Sequence, residues 1–357
     1  MKIAYCATVQ PKHGGLKSFN IGLCKALAQV CQQQNLELLL IASHGDLPDF
    51  EAIGCEKIGF EGNHFWYENF VLPSVLRKNK VNKAIFPHNR VPLFGSGVEH
   101  SSVIIHDLLF WRFPGQFSKI KWASRYFFMS MALQKADQVF AVSQFTADEL
   151  SAFGYKKPVQ VCLEGAEDLS HFPVLPSSKI PKEPFFLFVG ARSFQKNLPG
   201  LLKGFAHFRK KGYQAKLVVA GGEGSSVAEV EEALKTNEFQ RDILFPGFVS
   251  EEEKVALMKA SIAFVFPSIY EGFGMPILEA QKLGVPLICS HCASLPEVAG
   301  QGALLCPPDG LSIGLALEKL FLESEFKNEL IKKGFENQAQ FSWERTAGIL
   351  LEGLLSH

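Results

Sequence analysis

Short apolar runs alternate with amphipathic stretches along the whole chain. Runs at 2–9, 36–42, 81–86, 102–106, 138–143 and 158–163 read as strands, and the stretches 16–33, 65–79, 118–136 and 144–153 between them read as helices. In 16–33, Leu16, Phe19, Leu23, Ala26, Leu27 and Val30 recur three and four residues apart, which lines one face of a helix. Regular alternation of strand and helix predicts a parallel sheet wrapped by helices.

Residues 164–184 interrupt the pattern with Gly165, Pro173, Pro176, Ser177, Ser178, Pro181 and Pro184, a linker composition. The alternation then restarts. Strands are predicted at 185–190, 215–220, 241–245, 262–266, 285–289 and 302–306, with helices at 198–211, 226–236, 251–260, 276–283 and 310–322. Ser250 and Glu253 make a capping-box pattern at the third of these helices. Two further helical stretches, 324–339 and 343–355, close the chain. The expected organisation is an N-terminal domain over 1–165, a linker over 166–184, a C-terminal domain over 185–340 and a final helical segment over 341–357. Both domains are expected to be doubly wound α/β sheets. Ligands of such sheets bind at the carboxyl ends of the strands, so two facing domains would form a cleft there.

Composition narrows the function classes. At 357 residues and 47% hydrophobic, the chain can bury two sizeable cores. Lys plus Arg and Asp plus Glu each total 36, and a formal charge of zero argues against bulk nucleic-acid binding. Eight scattered cysteines form no dense framework, which fits a cytosolic chain with free thiols. No signal-like segment opens the sequence, and no apolar run approaches the ~18 residues of a membrane span. The expected location is cytoplasmic.

Four stretches carry candidate chemistry. In Phe266-Pro-Ser-Ile-Tyr-Glu271-Gly-Phe-Gly-Met-Pro-Ile-Leu-Glu279 a strand ends, a loop follows, and a helix begins near Pro276. Gly272 and Gly274 allow close approach of backbone N–H groups to a ligand, and the helix N-terminus suits an anion. Glu271 and Glu279 can each accept two hydrogen bonds from paired hydroxyls. The same stretch also reads as a helix cap with a solvated Glu. In Phe188-Val-Gly190-Ala-Arg192-Ser-Phe-Gln-Lys196-Asn197 two cations flank a strand-end loop, which suits a diphosphate, although loop cations are commonly just solvated. His13-Gly14-Gly15 could admit a phosphate or a sugar but lacks the dinucleotide fingerprint. His106-Asp107, at the end of a strand, suits sugar hydroxyls or a proton near neutral pH; a satisfied structural His is the plainer alternative. Cys289-Ser-His291-Cys292 is a single C-x2-C without a second pair and reads as structural, so no metal is expected.

Taken together, these stretches resemble a retaining glycosyltransferase of family 4, with the GT-B fold of two Rossmann-like domains facing a central cleft. The resemblance is densest from Phe188 to Pro307. There Glu271 and Glu279 match an E-x7-E motif, and the Gly190–Lys196 loop, Pro246-Gly247-Phe248-Val249 and Gly302-Ala303-Leu304-Leu305 follow in family order. His106-Asp107 is similar to a motif of mannosyltransferase-like members, and Phe341-Ser342-Trp343 resembles the start of a C-terminal helix that crosses back to the first domain. The resemblance implies that Arg192 and Lys196 bind the donor diphosphate and that Glu279 holds the ribose hydroxyls. It implies that Glu271, with backbone groups of Gly272, Phe273, Gly274 and Met275, holds the hexose and its phosphate. Gly247, Phe248 and Val249 would line the nucleobase, Gly14 and Gly15 would approach the diphosphate, and His106 would contact the sugar near the reacting carbon. Two departures stand out: Gln195 precedes the loop lysine where Arg is common, and Glu164-Gly165-Ala166-Glu167 replaces Asn-Gly-Val-Asp. The second gives no support to a linker side chain having a role.

The implied reaction moves a hexose, with a lean toward mannose, from a GDP- or UDP-linked donor to an acceptor hydroxyl. It would proceed with retention, without a metal or other cofactor, in cell-surface polysaccharide or glycolipid synthesis, lipopolysaccharide included. The acceptor would be a saccharide or lipid-linked saccharide. A sugar phosphorylase, a nucleotide-sugar epimerase and a non-catalytic nucleotide-binding protein are the rival readings. Residues 109–131 mix cations with aromatics: Phe110, Trp111, Arg112, Phe113, Phe117, Lys119, Lys121, Trp122, Arg125, Tyr126, Phe127 and Phe128. That mixture suits peripheral contact with an anionic membrane on its inner face, or a lipid-linked acceptor, against the plainer expectation of a core-packed helix with a solvated edge.

Overall fold

A computed structural model of the chain describes residues 1–9, 14–166, 169, 172 and 179–356. His13 and most of the 166–184 stretch lie outside the described residues. The chain divides into two compact units, Met1–Glu167 with Phe341–His357, and Asp168–Gln340.

The first unit is a parallel sheet of seven strands: β1 (Lys2–Ala7), β2 (Glu37–Ser43), β3 (Glu56–Phe60), β4 (Lys83–Phe86), β5 (His100–Ile105), β6 (Gln138–Ala141) and β7 (Val159–Val161), in the order β3-β2-β1-β4-β5-β6-β7. Central strands such as β1 are apolar almost throughout because helices cover both faces. The pairing Cys6↔Ile41 on one side of β1 and Tyr5↔Ile85 on the other places a topological switch point between β1 and β4. Strand β3 is absent from the pattern-based expectation. It is a short edge strand, Glu-Lys-Ile-Gly-Phe, with one buried residue, so it shows neither an apolar run nor a buried alternation. The single helix expected over 65–79 is instead a turn of α-helix at His64–Trp66, a π-helical turn at Tyr67–Val71 and an α-helix at Leu72–Lys78. Pro73 has no N–H to give the preceding turn, which is why a new helix starts there.

The second unit is a parallel sheet of six strands: β8 (Phe185–Val189), β9 (Lys216–Ala220), β10 (Ile243–Gly247), β11 (Ala263–Phe266), β12 (Leu287–Ser290) and β13 (Leu304–Cys306), in the order β10-β9-β8-β11-β12-β13. Its switch point lies between β8 and β11, whose pairing includes Phe264↔Leu187. Phe186, Phe188, Phe205, Phe208 and Val265 fill its core. The capping box forms as the sequence suggested: Ser250 Oγ accepts from the Glu253 N–H (3.2 Å) and Glu253 Oε2 accepts from the Ser250 N–H (3.0 Å).

Helix Trp343–Leu355 belongs to the first unit and packs on helix Gly15–Gln33. The Thr346 hydroxyl donates to the Leu163 carbonyl, and the Lys83 ammonium donates to the Leu354 carbonyl at the helix end. Gly22 makes the packing possible, because a Cβ there would sit 2.4 Å from Trp343 Nε1. This predicts that Gly22→Ala lowers stability by about 1–3 kcal/mol through overpacking, despite its helix-propensity gain. Trp343→Ala alone should cost about 3–5 kcal/mol. In the double variant the Gly22→Ala penalty should vanish, because the two side chains share one space. Equilibrium urea unfolding of the four proteins measures this, and simple additivity would contradict it.

Candidate active site

The loops leaving β8 and β11 flank the switch point of the second unit, and they are pinned to each other. Asn197 takes a left-handed backbone (φ 52°), and its amide nitrogen donates to the Pro308 (2.7 Å) and Pro267 (3.2 Å) carbonyls. The Ile269 N–H donates to the Gln195 carbonyl (2.8 Å). This brings Lys196 Nζ to 2.7 Å from Glu271 Oε1 and 4.6 Å above the centre of the Phe266 ring. Arg192 stands apart from this pair, with its guanidinium 4.9 Å over the ring of Phe245 in β10. Both cations are partly exposed, and both are steadied by an aromatic face.

After Glu271 the chain turns through Gly272 and Phe273 into helix Met275–Lys282. Gly274 caps it at φ +108°, a conformation that a side chain would strain, with Leu295 and Phe266 close by. The Ser294 hydroxyl reaches the carbonyls of Glu271 (3.0 Å) and Phe273 (2.8 Å), which holds the turn in place. The helix brings its positive dipole end to the loop, but it has few donors to lend: Pro276 has no N–H, and that of Ile277 goes to the Gly274 carbonyl (3.0 Å).

Glu279 is buried one turn further on, with Oε2 3.0 Å from Lys254 Nζ. Lys254 also meets Glu251 Oε2 at 2.6 Å. Burial disfavours the ammonium, but the two carboxylates outweigh it and hold the lysine above its ordinary pKa. Lys254 escaped sequence reasoning; its signal is a lone cation directly after three glutamates at a helix start. Its helix, Glu251–Ala260, follows Gly247-Phe248-Val249 in sequence. Val249 is buried and Phe248 exposed, with the Phe248 carbonyl accepting from Lys179 Nζ (3.0 Å).

In the first unit, polar groups gather at the carboxyl ends of β1, β4, β5 and β7. His106 Nε2 lies 2.7 Å from the Pro87 carbonyl, and Nδ1 lies 3.3 Å from Glu164 Oε1. Phe19 packs edge-on against the ring at 4.5 Å. Both imidazole nitrogens are therefore engaged by protein. The acid beside His106 in sequence is not its partner: the Asp107 carboxylate accepts from the Leu109 N–H (3.0 Å) instead. Glu164, which the sequence gave no reason to assign, is buried against His106. Asn20 connects onward, accepting from the Tyr5 hydroxyl (3.0 Å) and lying 3.1 Å from His88 Nε2. Burial, with help from His106 and Arg90, pushes the His88 pKa well down and keeps it neutral. Gly14, at φ +97°, caps helix Gly15–Gln33 and faces open space where a Cβ would be.

The structure thus joins Lys196 to Glu271 and anchors Glu279 through Lys254 in one unit. In the other it joins His106 to Glu164.

Residues 175–337 match the family model described as glycosyl transferases group 1. O-antigen chain mannosyltransferase B of Escherichia coli is 27% identical over 260 residues, which is 69% of this chain and 68% of that protein. Serotype-specific mannosyltransferase WbdA of Escherichia coli is 28% identical over 236 residues, 62% of this chain, but the match spans only 29% of WbdA's own length. Among solved structures, Anabaena Alr3699/HepE in complex with UDP-glucose is similar with a TM-score of 0.76 and 17% identity over 100% of both chains, a likeness of fold. The β8–β13 sheet thus lies inside a stretch that matches the group 1 glycosyl transferases, the chain is similar to bacterial mannosyltransferases, and both units are parallel Rossmann-like sheets as in the GT-B fold.

Proposed function

We propose that the protein transfers a mannosyl group, with retention, from a nucleotide diphosphate sugar to a saccharide or lipid-linked saccharide acceptor of a cell-surface polysaccharide. The observation that carries this is the Lys196–Glu271 pair at the switch point of β8 and β11, with Glu279 held ready by Lys254. Mannose is favoured by the mannosyltransferase relatives, and a GDP-linked donor is the reading we adopt over UDP. Glu279 accepts the ribose hydroxyls, and Glu271 with the Gly272–Met275 turn accepts the hexose hydroxyls. Gly247, Phe248 and Val249 lie along the base. Lys196 and Arg192 stand where the diphosphate gains negative charge as it leaves.

In this reading the C1–O bond to phosphate breaks and the acceptor oxygen bonds to C1 on the same face. The acceptor proton passes to the departing diphosphate. The fixed charges of Arg192 and Lys196, with the helix dipole at Gly274, take the place of a divalent cation or other cofactor. His106 meets the sugar by exchanging its Pro87 contact for a sugar hydroxyl, while Glu164 holds the ring's other nitrogen. A phosphorylase would consume a sugar 1-phosphate without nucleotide, and a non-catalytic binder would never turn a nucleotide sugar over.

Peripheral contact with an anionic membrane belongs to the same reading. In helix Lys119–Lys135 only Met129, Ala132 and Leu133 are buried, and Trp122 of its first half packs against the core while Lys119–Lys121 and Ala123–Phe127 are exposed. Ile120 (84%) and Phe127 (51%) are exposed among Lys119, Lys121 and Arg125. Phe127 touches Phe128, which touches Phe65; next to it Trp66, Phe70 and Phe94 form a second chain of exposed rings, at 4.4 Å and 5.1 Å. Exposed aromatic rings, with the cations of helix Lys119–Lys135 beside Ile120 and Phe127, fit a lipid headgroup region.

Three outcomes are expected. Lys196→Ala should lower kcat for GDP-mannose by about 10²–10³ while leaving the unfolding midpoint nearly unchanged, the loss typical of one transition-state donor. Normal turnover would remove the diphosphate role. Product formation, followed by anomeric proton NMR, should retain the donor's configuration and survive excess EDTA; inversion or loss on chelation would contradict the reading. Vesicles containing phosphatidylglycerol should float the protein, neutral ones much less, and Ile120→Glu with Phe127→Glu should abolish flotation; absence of binding to the anionic vesicles would remove the membrane contact.

A further inference from the structure

One ion pair of the first unit takes no part in the proposed transfer. Thr8 follows directly on β1, and Arg90 stands in the loop after β4, so both lie at the carboxyl ends of the strands that border the switch point. Ligands of such sheets bind there. Glu68 reaches the same place from the π-helical turn Tyr67–Val71, a kind of turn that often marks functional sites. Its side chain is buried; Oε1 accepts from the Thr8 hydroxyl and Oε2 lies 3.5 Å from Arg90 Nε. The pair therefore uses only the Nε edge of the guanidinium. Nη1 and Nη2 have no partner among the described residues and are not sealed from solvent, although the Arg90 side chain is only 23% exposed. His88, two residues before it, adds no competing cation, because burial keeps it neutral. The Asn20 amide nitrogen faces His88 Nε2 (3.1 Å), so the ring carries its proton on Nδ1, a buried donor that also lacks an acceptor among the described residues. The loop after β4 thus holds donors for which the described fold supplies no acceptor. The loop itself is pinned: Asn69 of the π-helical turn accepts from the Leu93 N–H (2.7 Å), and Asn89 accepts from the His106 N–H (2.8 Å).

We propose that Arg90 is an oxyanion site for the acceptor: its outer N–H fork receives the phosphate of a lipid-linked saccharide or the carboxylate of an acidic sugar, with Glu68 and Thr8 as its positioning residues. A guanidinium suits both groups, because two parallel N–H bonds meet two oxygens of one anion. Glu68 fixes the fork in advance, since a guanidinium held at Nε has already lost much of the freedom it would give up on binding. Glu68 also balances the Arg90 charge, so the selectivity comes from the paired hydrogen bonds rather than from net positive potential. Asn89, next to Arg90 in the chain, bonds the His106 backbone, which ties the fork to the residue that meets the sugar in the proposed transfer. The donor diphosphate is taken by Lys196 and Arg192 of the second unit, so an anion on Arg90 is assigned to the acceptor. That it belongs to the acceptor rests on the transferase reading; that an anion binds here does not.

The test is direct binding, by isothermal titration calorimetry on the full-length protein, of three probes that share an octyl tail: octyl α-mannoside, octyl mannosyl phosphate and octyl glucuronide. No donor is present, so the result does not depend on whether GDP-mannose is turned over. Wild type should bind at least one anionic probe about tenfold more tightly than the uncharged one, the size of one charge-assisted hydrogen bond, and which probe gains names the source of the anion. Arg90→Gln should erase that preference and leave the affinity for octyl α-mannoside as it was. Arg90→Lys keeps a cation for Glu68 but loses the fork, and should recover little of the preference. If Arg90→Gln alone unfolds the protein, Arg90→Gln with Glu68→Gln removes both charges together. Phenylglyoxal labelling of wild type needs no variant to fold: the preferred probe should slow modification of Arg90, read by peptide mass spectrometry. Equal affinity for all three probes, or a preference that survives Arg90→Gln and falls instead with Lys196→Ala, would overturn the assignment.

Discussion

Glu279 is only 6% exposed, and burying a carboxylate is costly unless a cation is buried with it. Lys254 is that cation, at 3.0 Å, and it is shared with Glu251. The same constraint repeats through the molecule. Glu271 has Lys196, and Glu68 has Arg90 at 3.5 Å along with the Thr8 hydroxyl, while Glu164 lies against the His106 imidazole. Each acid is thereby fixed by a partner: Glu271 in the loop after β11, Glu164 in the segment after β7, Glu279 within helix Met275–Lys282 and Glu68 in the π-helical turn Tyr67–Val71. Preorganisation of this kind is what separates a hydroxyl-binding site from a set of acidic residues.

The strand order decides where these pairs assemble. In the second unit, β8 has β9 on one side and β11 on the other, so the chain leaves the two central strands in opposite directions and opens a crevice between their loops. Lys196 comes from one loop and Glu271 from the other, 75 positions later. Asn197 and the Gln195–Ile269 hydrogen bond then fix the distance between them. Glycine at 274 allows the turn that delivers the helix end, and Ser294 braces it from a third segment.

The first unit repeats the plan with different chemistry. His106 is set by Pro87, Asn89, Glu164 and Phe19, which arrive from three separate segments: the loop after β4, the segment after β7 and helix Gly15–Gln33. Phe19 also packs edge-on against Trp343 at 5.5 Å, so the C-terminal helix helps set the imidazole's surroundings. Residues after the second unit in sequence thus complete the core of the first.

Most of the architecture was legible from local pattern. Central strands buried on both faces have to be apolar, and the helices between them have to carry a stripe, so β1, β8, β11 and helix Gly15–Gln33 announce themselves. The edge strand β3 and the π-helical turn at Tyr67–Val71 do not, because an edge strand needs little apolar surface and the turn answers to its neighbours rather than to its own spacing. The site divides in the same way. Arg192, Lys196, Glu271 and Glu279 could be picked out because residue type and spacing place them at strand ends and a helix start. That Lys254 serves Glu279 and that Glu164 rather than Asp107 serves His106 were decided only when distant segments packed together. Hydrophobic period is a property of neighbours along the chain, whereas a charge's partner depends on which segments the packed core brings within a few ångströms of it.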